Sequence, residues 1–147
     1  MTDQSCPYCS PKVETVLWSD AQARVVLANE PGYPYWCRVI WTAHVKEFSS
    51  LSAPDRSRLM DIVASLEAAL IAELRPAKMN LASLGTLVPH LHWHVIPRQE
   101  DDPSYPDPVW NQPKTPQPIA PDPKVVARIK ARVTSDLGAS LSPSQSQ

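Results

Sequence analysis

The sequence predicts an α+β fold, and three observations carry the prediction. Five short segments read as strands, one long amphipathic stretch separates the third from the fourth, and 147 residues make one ordinary domain. Hydrophobic residues make up 43% and charged residues 20%, which is a globular composition and not a disordered one.

Glu14–Trp18 and Arg24–Ala28 read as two short strands around a Ser19-Asp20 turn. Glu30-Pro-Gly-Tyr-Pro34 is a loop by its proline and glycine. Cys37–Ala43 is apolar on both faces, as a central strand would be. Ser52-Ala-Pro-Asp55 has the form of a helix start, with a serine cap, proline in the first turn and an acid at the third position. From there Leu59, Ile62, Val63, Leu66, Leu70 and Leu74 recur at helical spacing, with Arg56, Asp61, Ser65 and Glu73 off the stripe, until Pro76. Lys78–Leu84 and His90–Pro97 alternate like strands about a turn at Gly85.

Seventeen prolines are more than twice the usual share of ~5%, and nine fall between Pro97 and Pro123. Residues 98–122 are therefore expected to be irregular. Lys124–Leu137 can form a second amphipathic helix through Val125, Val126, Ile129, Val133 and Leu137, and Ala139–Gln147 is a polar tail expected to be disordered. The expected organisation is a domain over residues 1–110 and a proline-rich arm with a short helix and that tail over 111–147.

Fourteen basic against fifteen acidic residues leave no broad basic footprint for nucleic acid. No apolar run approaches a membrane span and the first eleven residues do not resemble a secretory signal. Three cysteines, two of them in Cys6-Pro-Tyr-Cys9, are not a secreted disulfide framework, so a cytoplasmic location is expected.

The strongest signal is Val88-Pro-His-Leu-His-Trp-His-Val-Ile-Pro-Arg98. Alternation along a strand projects His90, His92 and His94 together and sends Leu91, Trp93 and Val95 to the other side. A single histidine on a sheet is most often structural, but three in register need another explanation. A three-histidine metal site meets a geometric obstacle. Residues i and i+4 on a strand lie about 13 Å apart, whereas zinc–nitrogen bonds are ~2.0–2.1 Å.

The pattern His90-Leu-His92-Trp-His94-Val-Ile resembles the histidine triad (HIT) superfamily of nucleotide hydrolases and transferases. Asn80-Leu-Ala-Ser-Leu-Gly85, the Pro-Arg after the triad, Thr42-Ala-His44 and the capped helix fall in family order, over roughly residues 6–110. Within the family the chain looks like bacterial HIT proteins described as dinucleoside polyphosphate hydrolases. The resemblance implies an antiparallel sheet of about five strands with one main helix, and a two-fold homodimer. It also implies that the middle histidine, His92, attacks the α-phosphorus of a purine nucleotide and forms a nucleotidyl-histidine. His94 would bond phosphate oxygens or protonate the leaving group, and His90 completes the catalytic row. Asn80 matches a polar residue that orients the nucleotide. Thr86, also expected at the substrate, stands where relatives commonly carry Asn or Gln, and Leu87 replaces a phosphate-binding hydroxyl residue of several branches. With neutral His92 as nucleophile and protonated His94 as acid, a bell-shaped pH dependence is expected.

Cys6-Pro-Tyr-Cys9 has the spacing of a zinc half-site or a redox pair. A thioredoxin-like motif would follow a strand, and none is predicted before Cys6. Several HIT branches hold a structural zinc with such a pair and two histidines, which by resemblance are His44 and His90 here. Cys37, inside an apolar strand, reads as a packing residue. The competing function is a nucleotide-binding sensor or adaptor with negligible turnover, against which an intact nucleophile and acid argue. Trp110 could close over a bound base or anchor the arm on its own subunit.

Overall fold

The computed structural model describes residues 5–111 and 118–140; the far end of the predicted tail, 141–147, lies outside them. Strands β1 (Thr15–Ser19), β2 (Ala23–Leu27), β3 (Cys37–Trp41), β4 (Lys78–Ala82) and β5 (His92–Arg98) form one sheet in the order β1-β2-β3-β5-β4, antiparallel throughout. Helix α1 (Ala53–Leu74) crosses from β3 to the far edge, so β5 returns between β4 and β3. The expected α+β architecture is the observed one. Among the described residues, no helix is long and apolar enough to cross a membrane.

Local chemistry explains the joints. The β1–β2 turn closes on Asp20, whose Oδ1 accepts from the backbone N–H groups of Gln22 and Ala23 at 2.8 Å each. Ser52 caps α1, its Oγ accepting from the Asp55 N–H at 3.2 Å. Arg75, in the left-handed region at φ 48°, ends the helix just before Pro76.

Alternation divides the sheet into two faces. Val25, Val39 and Val95 point to α1 and form the main core with Leu59, Ile62, Leu66 and Leu70. Ser65, outside the predicted stripe, is buried as well. Helix α2 (Pro123–Leu137), placed by the sequence in the arm, packs on α1 and β1 and gives Ile129 and Val133 to the same core. Glu73 of α1 pairs with Arg128 and Arg132 across that contact. Cys37 is fully buried, which pushes its thiol up to about 12. The opposite face carries Arg38, His92, His94 and Arg98, covered in part by a smaller cluster of Tyr33, Trp36, Ile96 and Val109.

Candidate functional site

Strand β5 begins two residues later than the alternation predicts. His90 lies in a bend, its N–H donating to Val88 O at 2.8 Å. Pro89 is the reason: it has no N–H and a fixed φ, so the chain turns before it can join the ladder. His90 therefore leaves the expected catalytic row. His92 and His94 remain in it, opposite Ile40 and Arg38 of β3.

Each of the two has a tautomer set by its partner. His92 Nδ1 lies 2.6 Å from His90 O. A carbonyl only accepts, so Nδ1 carries the proton and Nε2 keeps a free lone pair. His94 Nδ1 accepts from the Trp36 indole N–H at 3.0 Å. An indole only donates, so the His94 proton sits on Nε2. The rings lie 4.9 Å apart, edge to face. The site holds one nitrogen able to attack and one N–H able to donate.

Burial lowers the pKa of His92, and it lowers that of His94 to about 4, with the neighbouring His92 and Arg38 charges acting in the same direction. His94 is thus neutral at pH 7, a correction to its expected role as a protonated acid. Protonation at Nδ1 would also turn that atom into a second donor facing the indole.

The shifts have a consequence for stability. In the unfolded chain these histidines take up protons near pH ~6.5, but in the folded chain only at lower pH. Their contribution is complete above that value and is lost as pH falls toward the folded value of about 4. The urea midpoint should drop between about pH 7.5 and about pH 5, and should drop less in His94→Gln. An equal drop in both proteins would assign the acid sensitivity to other groups.

His92 and His94 open into a cavity of about 540 Å³, within the range of small-ligand sites. Tyr8, Glu30, Trp36, Arg38, Thr86 and Trp110 are among its walls. Thr86 lines the cavity. Asn80 does not line it: its Oδ1 accepts from Arg98 Nη1 at 2.8 Å, and Arg98 is also paired with Asp102. Asn80 helps fix the far end of β5. Val109 is buried beside Trp36, and half-exposed Trp110 lies edge to face with Trp36 at 5.8 Å and His94 at 5.6 Å. The segment leading into the arm is anchored through Val109, and Trp110 lines the cavity. Tyr8, Trp36, Arg38 and Glu30 were not among the expected site residues. Arg38 left a trace, as the lone charge in an otherwise apolar strand.

Behind the cavity, Cys6, Cys9, His44 and His90 converge, with one donor atom each and all four within 4.8 Å of one another. Cys6 Sγ lies 3.4 Å from His90 Nδ1, Cys9 Sγ 3.2 Å from His44 Nδ1, and the two Nδ1 atoms 3.2 Å apart. His90 Nε2 donates to Trp41 O at 2.6 Å, so its Nδ1 presents a lone pair to the group. Tetrahedral bonds of ~2.0–2.3 Å separate neighbouring ligands by about 3.3–3.8 Å, close to these spacings. The four residues could hold a metal ion. Backbone bonds bring the two histidines together: Trp41 N–H donates to Leu91 O and Leu91 N–H to Val45 O, at 3.1 and 2.7 Å. Tyr8, between the two cysteines in sequence, packs its ring against His92 at 4.9 Å.

Solved structures show the same architecture. A histidine triad protein from Bradyrhizobium japonicum is 26% identical, with a TM-score of 0.69 over 84% of this chain and 90% of that one. Another from Marinobacter aquaeolei is 28% identical, with a TM-score of 0.67 over 84% and 88%. A zinc-bound histidine triad family protein from Mycobacterium smegmatis, 17% identical, shares the fold at a TM-score of 0.62 over 89% and 94%. No curated protein matches the chain. The HIT domain family model matches residues 11–101, which span β1 to β5 and both cavity histidines. The chain belongs to the HIT domain family.

Proposed function

We propose that this protein is a nucleotide hydrolase or nucleotidyl transferase that works through a covalent nucleotidyl-His92 intermediate. The observation that carries the proposal is the lone pair on His92 Nε2, held toward the cavity by the Nδ1–H bond to His90 O and flanked by the His94 Nε2–H donor. His92 Nε2 attacks the α-phosphorus while the bond to the leaving group breaks, and His94 donates to a phosphate oxygen. In the hydrolytic branch a water oxygen then forms the new P–O bond and the P–N bond breaks. The leaving group takes up its proton from solvent in the first step, the attacking water returns one to solvent in the second, and His92 is left in its neutral form. The strand supplies position: it holds nucleophile and donor at fixed spacing before substrate arrives.

Substrates of this kind are dinucleoside polyphosphates and nucleoside phosphoramidates of a purine. Zinc suits the second group of residues, since two thiolates and two imidazoles form a closed tetrahedral set, and the M. smegmatis relative is described as zinc-bound. Its contribution would be structural, tying the N-terminal segment to the sheet. Thiolate ligands also suit a reducing cytoplasm.

The test is incubation with adenosine 5′-phosphoramidate and, separately, with diadenosine tetraphosphate, following AMP. AMP release from either supports the enzyme, and the better substrate names the leaving-group class. Tight binding of both without release would replace the enzyme by a nucleotide sensor.

A further inference from the structure

We infer that Arg38 is the phosphate-binding cation of the histidine cavity and that Glu30 holds its guanidinium there until a phosphate takes its place. The inference rests on the nucleotide proposal above and extends it to a pair of residues outside the histidine row.

Arg38 is the second residue of β3, directly opposite His94 in the ladder. The other four residues of that strand are buried and apolar, and the Arg38 side chain itself is only 20% exposed. A cation in that position is costly to keep unless its charge is used or balanced. Balance is partial. Arg38 Nη2 donates to Glu30 Oε1 at 2.6 Å, but Nε is buried with no partner among the described residues. A buried donor of a charged group left unpaired is destabilising, and Nε is such a donor.

The other arginine on this face, the buried Arg98, makes the contrast. Arg98 bonds both Asp102 carboxylate oxygens, Asn80 Oδ1 and Asp107 O, and is thereby occupied within the fold. Arg38 has one carboxylate, and that one sits at the cavity wall where an anionic ligand can compete with it for the guanidinium.

Charge points the same way. Among the lining residues Arg38 is the one permanent cation and Glu30 the one carboxylate. A nucleoside phosphate brings at least one negative charge to His92. His94 meets it as a neutral donor, because its Nδ1 is taken by the indole N–H. The guanidinium fork matches phosphate oxygens in geometry and charge, and beside His94 it is placed where charge grows during transfer. The ligand class is therefore an anionic nucleoside phosphate, preferred over the neutral nucleoside.

Calorimetric titration of the purified protein with AMP and with adenosine tests this. The wild type should bind AMP more tightly than adenosine. Arg38→Gln should weaken AMP by about 10- to 100-fold, the range for a hydrogen bond to a charged group, and change adenosine by no more than about twofold. Glu30→Gln should tighten AMP several-fold, since the carboxylate no longer competes for the guanidinium or repels the phosphate. Opposite signs are the signature: an ion pair serving only the fold would weaken both ligands in both variants. Unchanged AMP affinity in Arg38→Gln, or a loss in Glu30→Gln, overturns the inference. If Arg38→Gln does not fold, the sign of the Glu30→Gln effect decides alone. A wild type that fails to prefer AMP defeats the nucleotide proposal and Arg38 with it, whereas preference retained in Arg38→Gln defeats Arg38 only.

Discussion

Replacing His92 by alanine is expected to lower turnover by roughly 10³- to 10⁶-fold, the scale on which removal of a catalytic nucleophile acts. Its Nε2 is the one imidazole lone pair left for the cavity. His94 Nδ1 is occupied by the Trp36 indole and its Nε2 holds a proton, while both His90 nitrogens are committed to the Trp41 carbonyl and the cysteine–histidine group. No neighbouring histidine can therefore take over. Folding should survive, because the ring is a cavity wall and the apolar core lies on the other face of β5. His92→Gly should regain part of the activity with added imidazole, which can occupy the vacated space and attack in its place. Adenosine 5′-phosphoramidate turnover measured beside a thermal melt separates the two effects. Wild-type turnover in His92→Ala would end the covalent mechanism.

Much of the fold was legible because it is periodic. The α1 stripe predicts a helix that ends at Pro76, and the observed helix ends at Leu74 with Arg75 as its cap. The alternation through Leu91, Trp93 and Val95 correctly assigns the core face of β5. The start of β5 was displaced because one proline outweighs a favourable pattern: Pro89 bends the chain and separates His90 from His92 and His94. That bend also resolves the distance problem of a three-histidine site, since His90 joins the cysteines instead. The His94 tautomer could not be read from sequence, because it depends on Trp36, which is 58 positions away in the chain. The contact that Asn80 makes was hidden for a similar reason. Its partner Arg98 comes 18 residues later, and only the β4–β5 pairing brings the two together. The role of Arg38 had a weak sequence trace, but its significance appears only when the ladder sets it against His94.

The largest expected effect on stability concerns the proposed zinc site. Freshly purified protein should carry about one zinc ion per chain, as a closed four-ligand site requires. Replacing Cys6 and Cys9 together by serine should remove it and lower the melting temperature by on the order of 10 °C, since binding free energy at such a site is folding free energy. Cys37→Ala, which alters a core thiol away from the group, should keep the metal. The loss should also reach the chemistry. Tyr8 sits between the two cysteines, its backbone carbonyl accepts from Arg24 at 2.9 Å, and its ring packs on both His90 and His92. When the loop loosens, that wall of the cavity goes with it and His90 O, the acceptor that sets the His92 tautomer, is less firmly placed. The double serine variant should therefore lose turnover below its melting temperature, while Tyr8→Ala keeps the zinc and shows a smaller loss of turnover. Elemental analysis finding no metal in the wild type would reject the site, and full turnover in the metal-free variant would show that the Cys6–Cys9 loop supports the fold alone.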